Sequence, residues 1–181
     1  MSTKEKDAKG LIMVFTGHGK GKTTAAMGMA FRAAGHGHKI LMIQFIKGSR
    51  EYGELHAVEK LSPCFRIVPM GRGFIRFDQK SPDEEDRKAI REAWKFSREM
   101  IDSREFQMII LDEINNAIDY GLLPVGEVLE ALKKKPEGLH LVLTGRNARP
   151  EIMEAADLVT EMKEIKHPFH RGTRAQKGVE F

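Results

Sequence analysis

Residues 11–24 read Leu-Ile-Met-Val-Phe-Thr-Gly-His-Gly-Lys-Gly-Lys-Thr-Thr. The apolar run Leu11–Thr16 predicts a buried strand, and the three glycines behind it predict a loop whose backbone is unobstructed by side chains. A helical pattern follows over Thr24–Ala34 and stops at Gly35-His36-Gly37, a glycine C-cap. Strand, glycine-rich loop and helix in that order form a phosphate cradle: loop N–H groups surround the anion and the helix turns its positive end toward it. Gly17, His18, Gly19, Lys20, Gly21, Lys22, Thr23 and Thr24 are the expected ATP-binding run, with Lys22 neutralising phosphate charge and the Thr23 hydroxyl on a magnesium ion. The spacing departs from the usual P-loop in one respect. Thr16 stands six residues before Lys22 where glycine is usual, so the loop is tighter and carries an additional lysine, Lys20.

Working outward, apolar runs alternate with helical patterns. Strands are predicted over Lys39–Phe45, Phe65–Met70, Gln107–Leu111 and Leu139–Thr144, with Leu158–Met162 closing the sheet. Helices are predicted over Gly53–Leu61, from Pro82-Asp83-Glu84-Glu85 through Ile101, over Pro124–Lys134 and over Pro150–Ala156. Trp94 falls on the core side of the long helix. The alternation predicts an α/β fold, P-loop NTPase-like (RecA-like), with a mostly parallel sheet and helices on both faces. One domain is expected over 11–162, preceded by a polar extension (1–10) and followed by a basic C-terminal tail (163–181) of the same domain.

The 181 residues are 41% hydrophobic and 31% charged, values of an ordinary globular protein, and no apolar run is long enough to span a membrane. The polar start predicts neither signal peptide nor anchor, and a lone cysteine excludes an internal disulfide framework and fits the cytoplasm. The net charge of +4 admits an anionic partner, but the aromatic residues do not interleave with the basic ones as stacking platforms do, so nucleic acid is not the expected ligand.

In an open α/β sheet, ligands sit at the carboxyl ends of the strands. Asp112-Glu113 ends one strand there and offers carboxylates to a metal or its waters; an acidic helix start is the plainer reading of the same pair. Thr144-Gly145-Arg146 ends another, where the Arg146 guanidinium suits phosphate oxygens, or is an ordinary surface arginine. Gln44 and Lys47 leave the second strand at the same edge, toward a nucleoside or second substrate, or simply into a loop. The seven histidines form no metal-ligand pattern, His36/His38 and His167/His170 reading as solvated or capping groups, and Cys64 beside Pro63 reads as core.

The strings TGHGKGKTTAAMGMAFRAAGHG, QFIKG, GFIRF, LDEINNAIDYGLLP, TGR and KHPFHRGTRAQKGVEF resemble the ATP:corrinoid adenosyltransferases of the CobA/BtuR/CobO type, from about Val14 to Phe181. The shortened loop and the tail are not general P-loop features, which makes the resemblance specific. It implies alkyl transfer: a reduced corrinoid, cob(I)alamin or a cobinamide-type precursor, attacks the 5′ carbon of ATP and expels triphosphate. ATP would bind in the reverse sense to most P-loop proteins. Lys22, Thr23 and Thr24 would contact phosphate and metal, Glu113 would be the magnesium-site carboxylate with Asp112 beside it, and Mn²⁺ could replace Mg²⁺. Arg146 would be the arginine of the TGR motif. Phe74 matches the first aromatic of a loop that displaces the lower cobalt ligand; Arg76 stands where better-known members carry tryptophan, with Phe77 next to it. A reduced flavoprotein as electron donor and a homodimer are implied as partners. A P-loop ATPase or kinase, which would make ADP, and a RecA-like module stimulated by nucleic acid are the competing readings.

Overall fold

The computed structural model describes residues 9–48, 52–73 and 83–180. Six parallel strands form one sheet in the order β3-β2-β4-β5-β1-β6: β1 (Ile12–Thr16), β2 (Ile40–Gln44), β3 (Phe65–Pro69), β4 (Met108–Asp112), β5 (His140–Thr144) and β6 (Leu158–Glu161). The expected mostly parallel sheet is thus parallel throughout among the described residues. Each strand lies within one or two residues of its expected span. The main extension is at β4, which runs on to Asp112 and makes that carboxylate part of the sheet rather than of the loop.

Because side chains alternate across a strand, each buried strand feeds two cores. Met13, Phe15, Met42 and Ile110 face α1 (Lys22–Gly35) and α2 (Gly53–Glu59), packing on Ala26, Ala30, Ala33 and Val58. Val14, Leu41, Ile43, Ile109 and Leu143 face the opposite side, against α3 (Glu84–Ser103), α4 (Ile114–Asp119), α5 (Val125–Lys134) and α6 (Pro150–Ala155). Strands buried on both faces read as continuous apolar runs, which is why they were legible.

Helix α1 begins at Lys22, two residues before the expected start, so Lys22 and Thr23 lie in its first turn. Gly21, with φ 107°, makes the sharp entry that a side-chain-bearing residue resists. In α3, Asp83 is the N-cap, its carboxylate accepting from Asp86 N at 2.7 Å, while Pro82 lies outside the described residues. Trp94 is buried as expected, with Nε1 donating to Glu127 at 3.2 Å. Cys64 is half-buried rather than core, because it sits in the turn between α2 and β3. Helix α4 and the 3₁₀ turn Pro168–Arg171 were not anticipated. No helix among the described residues is long and apolar enough to cross a membrane.

Candidate nucleotide site

The glycine-rich loop leaves β1 at the carboxyl edge of the sheet and is held from the side by β6. Gly19 N donates to Met162 O at 2.6 Å, and a Cβ on Gly19 would stand 2.7 Å from that oxygen and 2.9 Å from the Lys163 carbonyl carbon. Gly17 is equally confined: a Cβ there would lie 2.5 Å from Met162 O, and its φ is 94°. Both glycines therefore answer a close backbone approach as well as the loop's curvature. Thr16, in the place of the usual first glycine, is buried and its Oγ1 accepts from Ala148 N at 3.1 Å, tying the loop to the segment after β5.

Lys22 Nζ reaches back across the loop and donates to Gly17 O and Gly19 O, each at 2.7 Å. Burial and the nearby Arg146 guanidinium lower its pKa, against the opposing pull of Glu113 and Asp112. The two loop carbonyls stabilise the ammonium at the mouth of the anion cradle.

Asp112, at the end of β4, is fully buried and accepts from three side chains. Thr23 Oγ1 donates to Oδ1 at 2.8 Å, Thr144 Oγ1 donates to Oδ1 at 2.7 Å, and Gln44 Nε2 donates to Oδ2 at 3.3 Å. One carboxylate thus joins β4, β2, β5 and the first turn of α1. Glu113 follows with φ 64°, an uncommon conformation for a residue with a side chain, costing on the order of 1 kcal/mol. Its N–H donates to Thr144 Oγ1 at 2.8 Å, so the turn is held from β5. Burial and the adjacent Asp112 charge push the Glu113 carboxyl up to about 7, despite Lys47, Lys22 and Arg146.

A cavity of about 480 Å³ opens beside these groups, lined by Lys20, Lys22, Thr23, Thr24, Lys47, Glu113 and their neighbours. Its size suits a small ligand. Among the sequence-predicted residues, Gly21 also lines it, whereas His18 is exposed and does not. Arg146 is exposed and is not among the lining residues; its N–H donates to Asn116 Oδ1 at 2.6 Å, and its charge acts on Lys22 and Glu113. Gln44 is fully buried against Asp112, so in this structure it reaches the site through that carboxylate and not as a surface for substrate. Lys47 is paired with Glu54 at 2.8 Å and lies 5.0 Å from the centre of the Tyr52 ring. Burial lowers its pKa, but Asp112, Glu54 and Glu113 together outweigh that and leave it raised. Phe74, Arg76 and Phe77 lie outside the described residues.

Sequence reasoning missed Glu54 and, in the tail, Gly178, Val179 and Glu180, all of which line the cavity. A lone glutamate on a short helix gives no signal, and the tail returns to the loop only through tertiary contact. A larger hollow, about 660 Å³, lies between α3 and the turn before α5. It holds none of the predicted residues and no oxygen cluster at the strand ends. Among the described residues no group of three His, Cys, Asp or Glu could hold a metal by itself. The expected capping role of His167 is observed: its Nδ1 accepts from Phe169 N at 3.1 Å.

The profile of the family described as ATP:corrinoid adenosyltransferase BtuR/CobO/CobP matches residues 8–181. The chain belongs to this family. The corrinoid adenosyltransferase of a Sinorhizobium species is 46% identical over 183 aligned positions, covering all of this chain and 84% of that protein. The corrinoid adenosyltransferase of Escherichia coli K12 is 40% identical, over 97% of this chain and 88% of that one. Among solved structures, a KaiC-like protein from Pyrococcus horikoshii OT3 superposes with a TM-score of 0.56 at 18% identity, covering 87% of this chain and 75% of the other. At that identity the likeness concerns the fold alone, and it is the P-loop NTPase-like fold expected. In this corrinoid adenosyltransferase family member, the Lys22, Thr23, Asp112 and Glu113 cluster at the strand ends is thus the candidate site for ATP.

Proposed function

We propose that this chain transfers the 5′-deoxyadenosyl group of ATP to the cobalt of a reduced corrinoid, cobalamin or a cobinamide-type precursor, and releases inorganic triphosphate. The family match over residues 8–181, joined to the loop–carboxylate cluster at the strand ends, carries this reading. In the transfer, cobalt(I) supplies the electron pair of the new cobalt–carbon bond. The C5′–O bond breaks, and its pair leaves on the triphosphate.

Cobalt is itself the nucleophile, so the protein need not abstract a proton. Its work is orientation and stabilisation of the departing charge. Lys22, Lys20 and the loop N–H groups receive the polyphosphate, with the Arg146 charge acting on Lys22 and Glu113. On phosphate binding, Lys22 exchanges its two carbonyl partners for phosphate oxygens. Thr23, Asp112 and Glu113 are hard oxygen donors suited to Mg²⁺, or Mn²⁺, which keeps several waters. Two adjacent carboxylates with one pushed up to about 7 form an electrostatic conflict that a dication relieves. A magnesium ion bound there would supply positive charge to the leaving triphosphate.

Lys47 serves the nucleoside or corrinoid side at the cavity wall, whereas Gln44 acts only by fixing Asp112. Phe74, with Arg76 and Phe77, is assigned to the lower face of the corrin on the strength of the sequence resemblance. A reduced flavoprotein as electron donor, a homodimer and a cytoplasmic location belong to the same reading.

The deciding experiment is incubation with ATP, Mg²⁺ and chemically reduced cobalamin, following the corrinoid spectrum and the phosphate products. Adenosylated corrinoid and triphosphate in equal amounts are expected. Release of ADP without a change in the corrinoid spectrum would replace this reading by an ATPase or kinase.

A further inference from the structure

Residues 176–180 fold into a tight hook. Gln176 N donates to Glu180 Oε2 at 2.7 Å, and the main-chain N–H groups of Val179 and Glu180 return to Gln176 O at 3.1 and 2.9 Å. The hook lays Gly178, Val179 and Glu180 along the wall of the cavity that holds Lys22 and Thr23. The Glu180 carboxylate lies 3.2 Å from Lys20 Nζ, with the carboxylate side chain 18% exposed and the lysine 48%. Lys22 meanwhile spends its protons on Gly17 O and Gly19 O. Both lysines of the loop are therefore satisfied from within the chain.

We propose that Glu180 is a positioning residue that occupies Lys20 in the nucleotide-free protein and is displaced from it by polyphosphate, so that the C-terminal hook competes with triphosphate for the loop. The inference rests on the assignment of this cavity as the phosphate site. A carboxylate and a triphosphate both seek the same ammonium, and lodging both against one half-enclosed wall sets like charges a few ångströms apart. The Glu180 carboxyl is held below the usual carboxylate range by the Gln176 N–H and by Lys20, so it remains an anion at neutral pH. The hook is closed by local hydrogen bonds and one ion pair. Val179, whose side chain an apolar core would hide, is 68% exposed, so little apolar burial opposes release.

The test titrates full-length protein with inorganic triphosphate and Mg²⁺ in a calorimeter, using wild type, E180Q, K20Q and the double variant. E180Q is expected to tighten triphosphate binding about twofold to fivefold, the upper range of one partly exposed ion pair. The gain should vanish in the K20Q background, which a merely structural role for Glu180 would not produce. Hydrogen exchange at residues 176–180 should rise when triphosphate binds the wild type. Unchanged or weaker binding by E180Q, or tightening that persists without Lys20, would overturn the hook's role and leave the phosphate site standing. If wild type shows no triphosphate binding sensitive to K22A, the site assignment fails and this inference fails with it.

Discussion

Lys22 and Asp112 do different work, and substitution separates them. Lys22 holds two loop carbonyls at 2.7 Å, and in the proposed reading it is the group that meets phosphate charge. Lys22→Ala should lower adenosyl transfer by about a hundredfold or more, the scale of removing a charge-stabilising group, while circular dichroism remains native. Asp112 is buried with three side-chain donors aimed at it. Asp112→Ala leaves those donors unsatisfied and should cost about 2–4 kcal/mol of stability, read as a lower urea midpoint. Glu113 sits in a left-handed turn with its side chain toward the cavity. Glu113→Ala should leave the urea midpoint near wild type and sharply reduce the rate and its dependence on magnesium. Asp83→Ala provides the opposite pattern: loss of the α3 N-cap costs about 1 kcal/mol while turnover is retained. Equal small effects of Glu113→Ala and Asp83→Ala on turnover would show that the acidic pair is only structural.

At the scale of elements, the loop and β6 depend on each other. β6 is an exposed edge strand that pairs with β1 along Met13–Thr16 and then presents Met162 O to Gly19 N. Because a Cβ at Gly19 would meet the backbone of Met162 and Lys163, neither flexible side chains nor rotamer changes can make room. Gly19→Ala should therefore push β6 from the loop, destabilise the fold by about 1–3 kcal/mol and weaken ATP binding together. Gly28→Ala, on α1 with open space where its Cβ would be, is the control and should leave both unchanged or slightly raise stability. The segment between β3 and α3 carries Phe74, and the resemblance gives it a role only in the reduction of cobalt(II) to cobalt(I). Phe74→Ala should cripple the reaction begun from cob(II)alamin with a flavoprotein reductant, and largely spare the one begun from chemically prepared cob(I)alamin. Equal slowing of both would place the aromatic side chain in substrate binding or folding.

For the whole molecule, ligand binding and stability are linked under the proposed function, since the groups assigned to ATP and magnesium come from the loop after β1, from the end of β4 and from α1, and they meet only in the folded chain. At a hundred times its dissociation constant, magnesium-ATP adds about 2.7 kcal/mol. For a domain of this size that should raise the melting temperature by about 5–10 °C, and the increase should be lost in Lys22→Ala. Apart from α4 and the 3₁₀ turn, the order of elements, the parallel sheet and the loop were legible from the chain itself, because strands buried on both faces must be apolar throughout and because glycines suit a backbone that encloses an anion. The place of the Asp112-Glu113 pair was legible because in an α/β sheet the residue that ends a parallel strand lies on the ligand edge, and that of Lys22 and Thr23 because they open the helix that follows the loop. The tertiary structure alone decided what those residues meet. Asp112 gathers Thr23, Thr144 and Gln44 from 89, 32 and 68 positions away in sequence. β6 sets the loop's glycines against Met162, and Glu180 returns across 160 residues to Lys20. Such contacts depend on the packing of strands that are neighbours in the sheet and distant in the chain, so no local pattern of residues encodes them.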